Sequence, residues 1–345
     1  MSVIDDIKDS HIKGDLIPFV GAGFSENIDG YPNWQKFIKI LEADINIKLS
    51  PNPSIVYYDI FGDDPLEAAE HYVWTMGDWS IKRAGSKFVA LKPLKEGKKI
   101  LLNKLKYLFS QYQYDSSKWN VHDKLVKKFN KTIYTTNWDD TLEKALNNNL
   151  EPIYRPEHFR TIKTQPSIIK FHGHFKDKKD FGESLIACET DYLKRLSEEN
   201  PFDIKFKNDL LHNDFLFIGY SFNDPNVKLV LYQIGEIMNR YKVQPKDKSN
   251  IFWLSSEYSD DKRVEMLTHR GIKPYFLLKE DQQLELKHDE VEIKLKIKCR
   301  PCSFFWKCND DNCANYIEKE NIISAFNTKK KHYLNIEISN FLDQI

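Results

Sequence analysis

The chain has 345 residues, 41% of them hydrophobic and 13% aromatic, enough for one large domain with an appendage or for two domains, and too apolar for a chain that stays disordered. Its 51 Lys and Arg balance 51 Asp and Glu, which excludes a protein whose main task is wrapping nucleic acid while leaving room for a local basic patch. The N-terminus is polar and acidic, no later run reaches bilayer length, and four of the five cysteines crowd near the end, so a cytoplasmic protein in a reducing compartment is expected.

Ile4, Ile7 and Ile12 among charges predict a short helix over residues 2–13, delivering the chain to a buried strand, Asp15-Leu16-Ile17-Pro18-Phe19-Val20. Directly after it stands Gly21-Ala22-Gly23-Phe24-Ser25. Two glycines at a strand's end let backbone amides approach a pyrophosphate, and the same residues also make a plain tight turn. The segment is neither the G-x-G-x-x-G fingerprint nor a P-loop. Residues from about 42 to 125 carry no comparable strand, and Pro65 to Glu70 and Lys98 to Phe109 read as helices. A mostly helical insertion is expected there, covering a cleft as a lid or adding core.

Thr132-Ile133-Tyr134-Thr135 then reads as a strand that breaks into a polar turn and runs into a helix through Leu142, Ala145 and Leu146. Asn137 and Asp139 fall at its carboxyl end, either as ligand contacts in the crevice of an open sheet or as ordinary helix caps. Residues 150–154 form a short strand candidate. Ser167 to Phe171 is another strand, ending in His172-Gly173-His174. His172 is either a structural or a catalytic imidazole, and no nearby Cys or carboxylate makes a metal set of the two histidines. Asp214 to Ile218 is a strongly apolar strand stopping at Gly219-Tyr220-Ser221, followed by a helix over about 227–241 capped by Asp224 or Asn226. Strands near 251–254 and 272–276 complete an α/β class with a parallel sheet covered on both faces.

The pattern changes near residue 280. Leu284 to Leu286 and Val291 to Ile297 alternate apolar and charged residues around Lys287-His288-Asp289-Glu290, which predicts an antiparallel β-hairpin in a separate module over 283–345. Cys299, Cys302, Cys308 and Cys313 follow at C-x2-C-x5-C-x4-C spacing, as free thiols in a packed module or, alternatively, as a structural zinc site.

Four strand ends thus carry Gly21/Gly23/Ser25, Asn137/Asp139, His172/Gly173 and Gly219/Ser221/Asp224. Their order and types resemble the sirtuin fold, specifically the sirtuin-like NAD+-hydrolysing effectors of bacterial anti-phage defence, over roughly residues 10–280. The resemblance implies a sirtuin-like, Rossmann-type parallel sheet in an NAD+-binding catalytic domain over 1–282, with the helical insertion at about 42–125. It implies that Gly21, Ala22, Gly23 and Ser25 hold the pyrophosphate, and that Asn137 with Asp139 holds the nicotinamide ribose, the carboxamide or an attacking water. His172 becomes the catalytic base, while Gly219 and Ser221 contact the adenosine side and Asp224 joins the cofactor-binding group.

NAD+ is then the substrate, cleaved to nicotinamide and ADP-ribose in abortive infection, with no other cofactor. The resemblance further implies a homo-oligomer or a partner defence protein, such as an ATPase or an Argonaute-type sensor, with the tail from 283 as docking surface and no direct nucleic-acid or membrane binding. Protein-deacylating sirtuins carry a four-cysteine zinc module between the His-Gly and Gly-Ser elements, where this chain has only Cys188, and an arginine after the first loop, where it has Pro32-Asn33-Trp34. Both departures favour hydrolysis over the alternatives of deacylation or ADP-ribosyl transfer. A non-catalytic sensor of NAD+ or ADP-ribose is the rival from another class.

Overall fold

The computed structural model of the protein describes residues 2–28, 31–32, 34–49, 65–83, 91–147, 150–162, 166–177, 185–198, 200–244, 247–258, 261–298 and 314–345. Two compact units divide the chain, Met1–Trp253 and Leu254–Ile345. In the first unit the order is α1 (Val3–Lys13), β1 (Leu16–Val20), α2 (Ala22–Ser25), α3 (Trp34–Leu49), α4 (Pro65–Arg83), α5 (Leu91–Ser110), α6 (Asn120–Lys128), β2 (Thr132–Thr135), α7 (Thr141–Ala145), α8 (His158–Thr161) and β3 (Ser167–Lys170). It continues through α9 (Glu189–Ser197), α10 (Pro201–His212), β4 (Asp214–Ile218) and α11 (Pro225–Arg240) into β5 (Ile251–Ser255), and the second unit carries α12 (Lys262–His269), β6 (Ile272–Phe276), α13 (Glu280–Lys298) and α14 (Ala314–Gln344).

The strands form one sheet in the order β3-β2-β1-β4-β5-β6. The chain winds one way from β1 to β2 and β3 and the other way from β4 onward, so the ends of β1 and β4 flank the point where such sheets open a ligand crevice. All five positions of β1 are buried, as befits a central parallel strand covered on both faces. Pro18 offers no amide, and β2 registers with β1 only at Phe19↔Tyr134 and Val20↔Thr135, beyond the proline. Phe19, fully buried, is the hub of the core: its ring lies 4.8 Å from Phe217, 5.3 Å from Phe206 and 5.8 Å from Tyr134. The expected strand at 150–154 is reduced to a single bridge, Ile153↔Ile169.

The described residues of the insertion lie mostly in α3, α4, α5 and α6. Its apolar residues, among them Tyr72, Met76, Leu101 and Leu105, form one buried cluster with Trp138, Phe175 and Leu185 from the loops at the ends of β2 and β3. The insertion therefore has its own core and grips those loops from the side. Within it, a Cβ on Gly97 would stand 1.8 Å from the Val73 carbonyl oxygen, so α4 and α5 meet backbone to backbone at a position only glycine can fill.

The hairpin expected after residue 283 is a helix. Residues 281–298 are rich in Gln, Leu, Glu and Lys, all good helix formers, and 287–290 contains none of the Gly or Asn that a tight hairpin requires. Within the second unit α13 runs antiparallel to α14: Gln282 donates to Glu337 at 3.1 Å, Tyr333 to Glu285 at 2.9 Å, and Lys329 to Asp289 at 2.7 Å. Residues 299–313, with the four late cysteines, lie outside the described residues.

Candidate active site

The first two strand ends at the crevice are joined by glycines. The amide of Gly21 donates to the Ile218 carbonyl at 2.9 Å and that of Gly23 to Gly219 at 3.0 Å. A Cβ on Gly219, whose φ is +60°, would fall 2.2 Å from the Phe24 nitrogen, so the loops after β1 and β4 touch through bare backbone. Two of the amides expected to cradle a pyrophosphate are thus bonded to β4. Gly23 and Ser221 are the exposed members of this edge, while Gly21 and Ser25 are buried and Ala22 and Gly219 are half-buried. Phe222 holds φ +52°, an uncommon conformation for a bulky residue, clamped by the rings of Phe217 at 4.7 Å and Tyr220 at 5.2 Å.

The loop after β2 folds back on α2 through a directional chain of hydrogen bonds. Asn137 Nδ2 donates to the Gly21 carbonyl at 3.0 Å and to Ser25 Oγ at 3.1 Å. Ser25 Oγ in turn donates to Asp139 Oδ2 at 2.9 Å. The other Asp139 oxygen accepts from the amide and hydroxyl of Thr141 at 3.0 and 2.7 Å, turning the chain into α7. Asp139 is therefore both a loop organiser and a cap-like acceptor. Asn137 Oδ1 is buried and accepts nothing, leaving one fixed acceptor in the site. Trp138, between the two, turns toward the insertion, where its indole donates to Ile186 at 3.2 Å.

Lys170, at the end of β3 and almost wholly buried, braces this loop from below. Its ammonium donates to the Asp139 carbonyl, reaches the Asn137 carbonyl at 3.4 Å and pairs with Glu143 at 3.1 Å. Burial pushes the Glu143 carboxyl up, against the opposing pull of Lys170.

Adjacent strands carry the two expected catalytic groups. Thr135 registers with Lys170 across β2 and β3, so Asn137 and His172 each stand two residues beyond the same rung. His172 Nε2 lies 3.0 Å from Asp224 Oδ2, and Nδ1 lies 3.3 Å from the Tyr192 hydroxyl. Burial pushes the Asp224 carboxyl up, but His172, the Val227 amide and Arg195 outweigh it and hold it below the usual carboxylate range. Burial, followed by the charge of Asp224, raises the Tyr192 phenol well above its ordinary value, so it stays an O–H donor.

Asp224, expected among the nucleotide contacts, stands at His172, and its Oδ1 caps α11 through the amides of Asn226 at 2.9 Å and Val227 at 3.1 Å. Sequence reasoning missed Tyr192, which sits in an ordinary amphipathic helix, and the bracing role of Lys170, which a lysine next to an apolar run does not advertise. His174 turns away from His172, with Nδ1 3.0 Å from the Trp138 carbonyl, and burial pushes its imidazole well down. Among the described residues no group of three His, Cys, Asp or Glu is placed to hold a metal, and no helix is long and apolar enough to cross a membrane.

The strand order and the glycine-joined loops define a Rossmann-type α/β domain, and the family model described as SIR2-like domain matches residues 131–275. The chain is similar to an NAD(+) hydrolase ThsA of Acinetobacter baumannii (strain 532279), 24% identical over 296 residues that span 83% of this chain and 52% of that protein. A second NAD(+) hydrolase ThsA, from Bacillus cereus (strain MSX-D12), is 22% identical over 64% of this chain and 40% of its own length. The defense-associated sirtuin 2 of Bacillus subtilis is 23% identical over 68% of this chain and 20% of its own length. The chain spans about half, or less, of these curated relatives.

Proposed function

We propose that this chain is an NAD+ glycohydrolase that releases nicotinamide and ADP-ribose, and that it acts in the cytoplasm as an abortive-infection effector against phage. The observation that carries the proposal is the pairing of Thr135 with Lys170, which sets an amide with an unpartnered buried oxygen, Asn137, and an imidazole, His172, each two residues past the same rung of neighbouring parallel strands. The names of the relatives, NAD(+) hydrolase and defense-associated sirtuin, support it.

The chemistry asks little more of the site. Nicotinamide leaves NAD+ as a neutral molecule, so departure needs no general acid. The site must steady an oxocarbenium-like ribosyl group and deprotonate the attacking water. Asn137 Oδ1 is suited to orient that water or a ribose hydroxyl, with Ser25 and Asp139 holding the amide in place. His172 takes the proton. Gly23 and Ser221, exposed just past β1 and β4, are suited to contact the pyrophosphate and adenosine. A toxic hydrolase needs restraint, which favours a homo-oligomer or a partner defence protein, with the module after residue 283 as the docking element.

Incubation of the purified chain with NAD+, following nicotinamide release, tests the proposal. Release that disappears in His172→Ala is expected. Release undiminished in that variant, or conversion to a protein-bound ADP-ribose in place of free product, would replace it.

A further inference from the structure

Taking His172 as the base, as proposed above, we infer that Asp224 and Tyr192 are its positioning residues: Asp224 fixes the Nε2–H tautomer, Nδ1 becomes the nitrogen that takes the proton, and the Tyr192 hydroxyl occupies Nδ1 until substrate arrives. A carboxylate offers only lone pairs, which would repel a bare ring nitrogen at this separation, so Nε2, 3.0 Å from Asp224 Oδ2 though off the angle of a formed hydrogen bond, carries the hydrogen. In the neutral ring Nδ1 is then bare. The Tyr192 hydroxyl, 3.3 Å away, is its donor, with the two rings edge to face at 5.2 Å.

Neither partner is free to drift. The second oxygen of Asp224 is tied to the first amides of α11, so the helix sets the orientation of the carboxylate that faces His172. Tyr192 follows two residues that are bolted to the insertion: Thr190 donates to Glu70 of α4 at 2.7 and 3.0 Å, and Asp191 pairs with Lys98 of α5. The insertion thereby determines where the Tyr192 hydroxyl stands, and a shift of α4 and α5 reaches the base through α9.

The proton inventory closes. Water oxygen bonds to C1′ of the ribose while the C1′–nitrogen bond breaks and its electron pair returns to nicotinamide. The water proton goes to Nδ1, and the imidazolium so formed is stabilised by the Asp224 carboxylate on the opposite nitrogen. Nothing is oxidised or reduced.

The test uses the full chain labelled with 15N-histidine, His172→Gln identifying the resonances of His172, alongside NAD+ kinetics. The wild type is expected to show a protonated Nε2 and a bare Nδ1. Asp224→Asn, which keeps an oxygen to cap α11, is expected to lose that single tautomer, and Tyr192→Phe to keep it while its Nδ1 resonance moves. In kinetics, Asp224→Asn lowers kcat about ten- to a hundredfold with KM within about twofold, the pattern of a group acting through the base. An Nδ1–H tautomer in the wild type, a spectrum unmoved by Asp224→Asn, or a raised KM at unchanged kcat would overturn the inference. A wild type that releases no nicotinamide ends the proposed activity, while the nitrogen spectrum still decides whether Asp224 positions the ring.

Discussion

Ser25 and Asp139, 114 residues apart in sequence, share a buried hydrogen bond of 2.9 Å, and the serine simultaneously accepts from Asn137. The turn after β1 and the turn after β2 are therefore one unit, ordered Asn137 to Ser25 to Asp139. Replacing Ser25 with Ala removes both bonds and leaves a buried carboxylate oxygen without its donor. A loss of about 1–3 kcal/mol in urea denaturation is expected. Nicotinamide release is expected to fall roughly tenfold, since the amide of Asn137 loses a support. Full stability together with full activity would show that the two turns are independent.

Lys170 carries a buried charge whose partners are two carbonyls of the Asn137–Asp139 loop and Glu143. Lys170→Met strands Glu143 in the interior and is expected to cost about 3–5 kcal/mol. Adding Glu143→Gln should recover part of that loss, because the stranded charge is gone. A double-mutant cycle by denaturant unfolding measures the coupling, and additive losses would mean that the two side chains do not depend on one another.

Gly97, outside the site, is predicted to reject even the smallest side chain. A methyl group there meets the Val73 carbonyl, so Gly97→Ala pushes α4 from α5 despite alanine's better helix propensity. A loss of about 1–3 kcal/mol is expected from the overpacked crossing. A gain in melting temperature would contradict it.

His122 packs its ring at a tilt against Phe24, 4.5 Å away, fully buried, and neither ring nitrogen has a hydrogen-bond partner. Burial pushes its imidazole down to about 3 from an ordinary 6.5. Below 6.5 the unfolded chain binds a proton that the folded chain refuses until about 3, so stability present at neutral pH drains away as the pH falls through that window. Between pH 7 and pH 5 this one group withdraws about 2 kcal/mol. His122→Leu should lose less stability than the wild type over the same interval, as urea midpoints at the two pH values would record. Equal losses would mean that His122 protonates in the folded state.

The sheet was legible because four of its strands, β1 to β4, run within two residues into Gly, Asn or His, as at Phe217-Ile218-Gly219. The grouping of strand ends was legible too, since four weak patterns in one order constrain each other. Tyr192 was not legible. Its contact with His172 depends on how α9 is hung from the insertion by Thr190 and Asp191, a tertiary fact with no local signature. The role of Asp224 was half legible: its capping follows from Asp-Pro-Asn before an apolar helix, but its facing His172 requires β4 and β3 to be placed. The hairpin at 283 failed because period-two alternation among Leu, Ile, Glu and Lys competes with helix propensity, and without a turn residue the helix won.

The proposed reaction requires that Asn137 and His172, each two residues past the pair Thr135–Lys170, act on the same ribose carbon. Nicotinamide release measured for Asn137→Ala, His172→Ala and the double variant tests it most directly. Residues that work as a unit give a double variant no slower than the worse single one, and that is the result predicted. Losses that multiply, or a single variant that keeps wild-type turnover, would contradict it.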